Sequence, residues 1–156
     1  MRSKLIRIVP PLWFILFVGL AFVAHYQIPS SHVFEFARTT YTTIAATIIV
    51  IGAWMITLRA SNIFAIEKTE ILPSSPSNRL LITRGPYRFS RNPMYLGMVI
   101  MILGLGVYFG TLPFFIAALA HFLVMNFVFI PYEEEKLSRI FGAEYETYRQ
   151  KVRRWL

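Results

Sequence analysis

Leu81-Ile-Thr-Arg-Gly-Pro-Tyr-Arg-Phe-Ser-Arg-Asn-Pro-Met-Tyr95 sets three arginines, two prolines and two tyrosines directly before an apolar run. Gly85-Pro86 permits a sharp turn, and Pro93 suits an early helix position, where its missing N–H costs nothing. A helix start exposes unpaired N–H groups, so with Arg88 and Arg91 beside it the stretch reads as an anion site at the mouth of a membrane helix. The alternative is that the arginines only flank the span and meet lipid phosphates. The fixed turns among them favour a built site, because a generic flank needs none.

Composition agrees with a membrane setting. The chain has 156 residues, one domain's worth, and is 56% hydrophobic and 16% aromatic, more apolar than a soluble domain needs. It has no cysteine, which excludes disulfides, thiolate zinc sites and a cysteine nucleophile. All eight acidic residues are glutamates, which disfavours aspartate-based phosphoryl transfer and carboxylate metal centres. No metal-ligand spacing, Gly-rich phosphate loop or nucleophile–histidine motif is present. The net charge of +8 fits basic loops beside membrane spans better than nucleic-acid binding.

Working outward gives four predicted spans, 10–28, 39–58, 93–109 and 112–132, with 59–92 and 133–156 as cytoplasmic segments. Arg2, Lys4 and Arg7 before the first apolar run resemble a signal peptide. The run of about 19 residues is nevertheless long enough to cross the hydrocarbon core, and no small-residue cleavage site precedes Pro29. Pro29 to Arg38 reads as a polar turn and Ser74-Ser-Pro-Ser-Asn78 as a loop. Gly97, Gly104 and Gly106 would let another backbone approach the third span closely. Gly110-Thr-Leu-Pro113 turns the chain into the fourth, making a helical hairpin. Lysines and arginines number three before the first span, one in the first turn, six between spans two and three, none in the hairpin turn and six after span four. The expected fold is therefore an all-α integral membrane protein with four transmembrane helices and short cytoplasmic helices after the hairpin, both termini being cytoplasmic.

A second constellation follows Pro131. Glu133, Glu134 and Glu135 open an amphipathic segment in which Gly142 looks like a helix stop and a last helix is expected from Ala143 to about Arg154. In a straight helix Asn126, Phe129 and Glu133 share one stripe, while Glu134 shares another with Leu137, Phe141, Tyr145 and Tyr148. The two glutamates then face different partners: one a ligand's cationic or hydroxyl groups, the other the loop arginines. The plain alternative is a solvated charge run. Polar groups inside spans usually face a bundle interior. Asn126 is the functional candidate, and the deeper His121 reads as structural.

Leu81 to Gly97, with Glu133-Glu134, Leu137, Phe141-Gly142, Tyr145, Tyr148 and Val152, resembles the signature of the isoprenylcysteine carboxyl methyltransferase and phospholipid methyltransferase superfamily. The resemblance covers about Arg79 to Leu156. It implies methyl transfer from S-adenosylmethionine to a lipid or lipidated acceptor that reaches a cytoplasmic pocket from the bilayer. Carried over by position, Leu81, Ile82, Thr83, Gly85 and Tyr87 would line the cofactor pocket, and Arg91, Asn92, Pro93 and Tyr95 would continue it. Glu133 or Glu134 would hold the cofactor's hydroxyls or ammonium, and Tyr145 and Tyr148 would help cover it. Arg91, Asn92, Glu133 and Asn126 are the candidates for a direct catalytic role, and Arg84 and Arg88 are left to lipid headgroups. Many relatives carry histidine where Asn92 stands, and another near Asn78 and Arg79, which puts histidine-assisted proton transfer in doubt. The sulfonium is an activated leaving group, so alignment and exclusion of water would dominate, with proximity supplying roughly 7–11 kcal/mol at best. An amine acceptor would also need a base, which a glutamate can supply. The rival readings are an NADPH-dependent membrane reductase of the sterol-reductase type and a non-catalytic scaffold binding anionic lipid.

Overall fold

The computed structural model describes residues 9–28, 39–67 and 80–156. The turn Pro29–Arg38, the loop Ser74–Asn78 and the basic residues Arg2, Lys4 and Arg7 lie outside the described residues. Every element among the described residues is helical. The elements are α1 (Pro10–Gln27), α2 (Thr40–Ile66), a 3-10 turn (Gly85–Arg88), α3 (Pro93–Phe109), α4 (Leu112–Val124), a π turn (Met125–Phe129), α5 (Ile130–Phe141) and α6 (Ala143–Lys151). Among the described residues three helical stretches are long and apolar enough to cross a membrane: α1, α2, and the continuous run Leu112–Phe141. α3 is apolar but has only 17 residues.

Local chemistry explains the helix starts. Prolines occupy the first turns of α1, α3 and α4, where no N–H is required. Thr39 caps α2 by accepting from the Thr42 N–H at 3.3 Å. At its far end α2 continues eight residues beyond the expected Leu58, to Ile66. At about 1.5 Å per residue its 27 residues exceed the roughly 30 Å hydrocarbon thickness. Near its Ile66 end Ala60, Ile63 and Phe64 pack against Ile82, Tyr87 and Met94. Apolar periodicity marks the part of a helix in lipid and is blind to this extension.

α3 lies chiefly on α2, and α4 packs on both α1 and α3. The α2–α3 contact is made at small residues. A Cβ on Gly97 would overlap Thr57 Oγ1 and sit 2.9 Å from the Ala53 carbonyl oxygen. Seven residues on, a Cβ on Gly104 would lie 2.8 Å from Val50 Cγ2. Gly110, at φ 65°, takes the left-handed conformation that reverses the chain into α4. The deepest cluster joins Ala21, Ile102, Phe114, Ala117 and Ala118, with Phe14, Phe17 and Phe22 around it. His121 is completely buried against the edges of Phe14 and Phe17. Neither of its ring nitrogens has a hydrogen-bond partner among the described residues. Outside the bundle, large apolar side chains such as Leu12, Ile15, Leu20, Ile48 and Ile51 are exposed, a surface suited to lipid.

The straight-helix reading of the Asn126–Glu133 stripe needs correction. Pro131 cannot donate to Phe127, and its ring would crowd that carbonyl. The chain answers with the π turn just before it, in which the Ile130 N–H reaches the Met125 oxygen. The wider turn carries an extra residue, so Asn126 is out of phase with Glu133. The helix nonetheless continues through Pro131 rather than breaking there. The last helix also ends three residues early, at Lys151, and Val152 is extended. The Arg153 and Arg154 carbonyls accept instead from the Ser90–Asn92 turn.

Candidate functional site

The start of α3, the end of the Leu112–Phe141 run and α6 meet at one end of the bundle, and the two sequence constellations meet with them. Tyr95, on the first turn of α3, donates to Glu133 Oε1 at 2.5 Å. One residue on, Glu134 points to a different set of partners. Arg91 Nη1 lies 3.1 Å from Glu134 Oε1, and Arg154 grips both oxygens, Nε to Oε1 at 3.1 Å and Nη2 to Oε2 at 2.6 Å. Arg91 Nη1 also donates to the Tyr145 hydroxyl at 3.2 Å. Glu133, by contrast, has no guanidinium partner among the described residues. Glu134 is therefore charge-compensated within the protein, and Glu133 is the carboxylate left to meet a further group.

Other predicted residues frame this pair. Asn92 is buried; its side chain donates to the Arg154 carbonyl at 2.9 Å, and its N–H donates to Ser90 Oγ at 3.1 Å. Pro93 is buried as the first residue of α3. Leu81 packs with Tyr145, Tyr148, Leu137, Phe141 and Val152, so the stripe after Glu134 does come together. The Tyr148 hydroxyl donates to the Tyr87 carbonyl at 2.7 Å, fixing α6 to the 3-10 turn. Burial pushes the phenols of Tyr87, Tyr145 and Tyr148 above the ordinary tyrosine range, with the charges of Glu133 and Glu134 adding to the first two respectively. All three remain neutral around pH 7; the Tyr145 and Tyr148 hydroxyls make hydrogen bonds.

Gly85 adopts φ 62°, and a Cβ there would come within 2.7 Å of Ile63 Cδ1. A side chain would meet both the left-handed penalty and the end of α2. Gly85→Ala is expected to lower stability by about 1–2 kcal/mol, measured as a shift in detergent unfolding. Arg84 is not simply a headgroup contact, since it pairs with Glu67 at the end of α2. Arg88 and Thr83 are exposed. Asn126 Oδ1 accepts from Trp155 Nε1 at 3.0 Å.

Sequence reasoning missed Ser90, Arg154 and Trp155. The signal was a basic pair and a tryptophan after Val152, read as the end of a helix. Ser90 is almost fully buried and joins Asn92 to the tail. Several polar groups here also have no protein partner. The Tyr87 hydroxyl and Arg91 Nε are buried and unpaired among the described residues. No backbone hydrogen bond among the described residues engages the N–H or C=O groups of Leu81, Ile82 or Thr83. No cluster of metal ligands is present among the described residues. The arrangement sets the Glu133 carboxylate and the buried Tyr87 phenol near the Leu81–Thr83 backbone.

A family model described as phospholipid methyltransferase matches residues 40–144. A probable protein-S-isoprenylcysteine O-methyltransferase of Oryza sativa subsp. indica is 44% identical over 75 residues, 46% of this chain and 38% of that protein. The protein-S-isoprenylcysteine O-methyltransferase of Schizosaccharomyces pombe is 38% identical over 78 residues, 48% of this chain and 32% of that protein. An uncharacterized protein of Haemophilus influenzae is 38% identical over 63 residues, 40% of this chain and all of that protein. The match thus spans little more than a third of the rice protein's length. No solved structure matches.

Proposed function

The chain belongs to the phospholipid methyltransferase family, and on that premise we propose that it is an integral membrane enzyme that methylates a lipid or lipidated acceptor using S-adenosylmethionine. The observation that carries this reading is the division of labour between adjacent glutamates. Glu134 is saturated by Arg91 and Arg154, whereas Glu133 accepts from the Tyr95 phenol and has no guanidinium partner among the described residues. A sulfonium cofactor with an ammonium and ribose hydroxyls suits that carboxylate, and the unpaired backbone at Leu81–Thr83 suits its base. The residues fit the group.

In this assignment Glu133 holds the cofactor's hydroxyls or ammonium, and Tyr95 fixes the carboxylate's orientation. Leu81, Tyr145 and Tyr148 form an apolar and phenolic wall that excludes water, and Gly85 lets the backbone pass close to α2. When bound, the cofactor supplies an electrophilic methyl group. Arg91 and Asn92 hold the turn that begins α3, and the Arg91 Nε–H remains to donate to an anionic part of a ligand. For an amine acceptor, Glu133 is the group positioned to take the proton; a carboxylate or thiolate acceptor needs none. α3, third in chain order, brings the spans to four in this reading, since 17 residues fall at the short end of the spanning range. The arginine-rich side, with both termini, faces the cytoplasm by the positive-inside rule, and the acceptor's tail comes laterally from the bilayer. The names of the rice and fission-yeast relatives make an isoprenylated cysteine carboxylate the first acceptor to try.

The test is calorimetric titration of the detergent-purified chain with S-adenosylhomocysteine and, separately, NADPH. Binding of the first and not the second is expected. Glu133→Gln should weaken that binding by about tenfold, the loss of a charge-assisted hydrogen bond. NADPH binding with no S-adenosylhomocysteine binding would replace this reading by the reductase, and binding of neither would leave a scaffold. Incubation of lipid extracts and of S-farnesylated N-acetylcysteine with isotopically labelled cofactor, read by mass spectrometry, identifies the acceptor.

A further inference from the structure

Residues 152–156 do more than end α6. The Arg91 N–H donates to the Arg153 carbonyl at 3.0 Å. The Arg154 carbonyl accepts from Asn92 at 2.9 Å and from Ser90 at 3.4 Å. The Arg154 side chain forks onto Glu134. Trp155 donates to Asn126 at 3.0 Å, lies 4.8 Å from Phe122 between ring centroids, and packs on the cluster that contains Tyr95. Two successive tail residues therefore reach the surroundings of both glutamates, and the tail connects the π turn to the turn that begins α3.

We propose that Arg154 and Trp155 are positioning residues, which set the Glu134–Arg91 pair and the Tyr95 cluster in the geometry that binds the methyl donor. The inference rests on the cofactor reading above and adds the residues that pre-form its site. Arg91 alone touches Glu134 through one nitrogen and leaves the carboxylate free to rotate. The planar Arg154 fork engages both oxygens and fixes that rotation, which a lysine's point charge cannot do. Trp155 anchors the same strand at Asn126, in the π turn, where the regular helical hydrogen-bond pattern is interrupted. Positioning of this kind lowers the cost of ordering the site when a ligand binds.

The experiment is titration of the full chain in detergent with S-adenosylhomocysteine, paired with the thermal midpoint of each variant. Arg154→Lys keeps the charge and loses the fork; it is expected to weaken binding about tenfold. Arg154→Gln loses both and should weaken it by about a hundredfold. Trp155→Phe keeps a ring against Phe122 and removes the N–H; a loss of about threefold is expected. Midpoints of the lysine and phenylalanine variants should stay close to that of the wild type, separating positioning from folding. Wild-type binding with unchanged affinity in both Arg154 variants overturns this proposal and leaves the cofactor reading standing. Affinity that falls only as the folded fraction falls also overturns it. A wild-type chain that binds no S-adenosylhomocysteine overturns both.

Discussion

Alanine at position 134 is expected to destabilise the chain by about 3 kcal/mol, and to remove S-adenosylhomocysteine binding with it. The physical reason is what it leaves behind. The Arg91 side chain is only 9% exposed and Glu134 13%, so deleting the carboxylate strands a guanidinium whose Nε already lacks a partner. Removing one member of a buried ion pair typically costs about 3–5 kcal/mol, because the survivor keeps its desolvation penalty. The low end applies because the Arg154 side chain retains 35% exposure and can turn its charge to water. Far-UV circular dichroism during unfolding in detergent gives the number. Glu133→Gln should show the opposite profile, with weakened ligand binding and nearly unchanged unfolding, since the amide can still accept from Tyr95. If Glu134→Ala unfolds like the wild type, the Arg91–Glu134–Arg154 geometry is wrong.

That contrast between neighbouring glutamates marks the limit of what the sequence discloses. Helix starts were readable because proline and threonine act locally, at Pro10, Thr39, Pro93 and Pro113. The grouping of Leu137, Phe141, Tyr145 and Tyr148 was also implicit in their common stripe, and the family resemblance alone placed Leu81 with the two tyrosines. Assigning partners to Glu133 and Glu134 was out of reach, because that depends on helical phase. The π turn alters the phase between Asn126 and Glu133, and nothing in Met-Asn-Phe-Val-Phe announces it apart from the proline two residues later. The end of α2 escaped for a related reason: beyond Leu58 it packs through Ala60, Ile63 and Phe64 on Ile82, Tyr87 and Met94, a contact that hydropathy does not report. The Arg153–Trp155 tail looked like more helix because its partners, Ser90 and Asn92, are about sixty residues away.

The second large effect is expected at Gly97, far in sequence from either glutamate. Gly97→Ala places a methyl group against the Ala53 carbonyl oxygen at 2.9 Å, in addition to overlapping Thr57 Oγ1. The hydroxyl can rotate away, although it would give up its 3.0 Å bond to the same Ala53 oxygen. The carbonyl belongs to the backbone of α2 and moves only if the helix moves. Overpacking of this type costs about 1–3 kcal/mol, and small residues are what allow two membrane helices to approach closely. Gly104→Ala is the control: its nearest neighbour is a valine methyl at 2.8 Å, which can yield by a side-chain adjustment, so its cost should be the smaller of the two. The consequence at Gly97 extends to the site. α2 carries Ala60, Ile63 and Phe64 against Ile82 and Tyr87, and displacement of α2 shifts the wall beside Gly85. Gly97→Ala should therefore reduce both the unfolding midpoint and S-adenosylhomocysteine affinity, whereas Gly104→Ala should leave the affinity close to that of the wild type. The reverse order of the two glycines in the unfolding measurement would show that α2 and α3 do not approach most rigidly at Gly97.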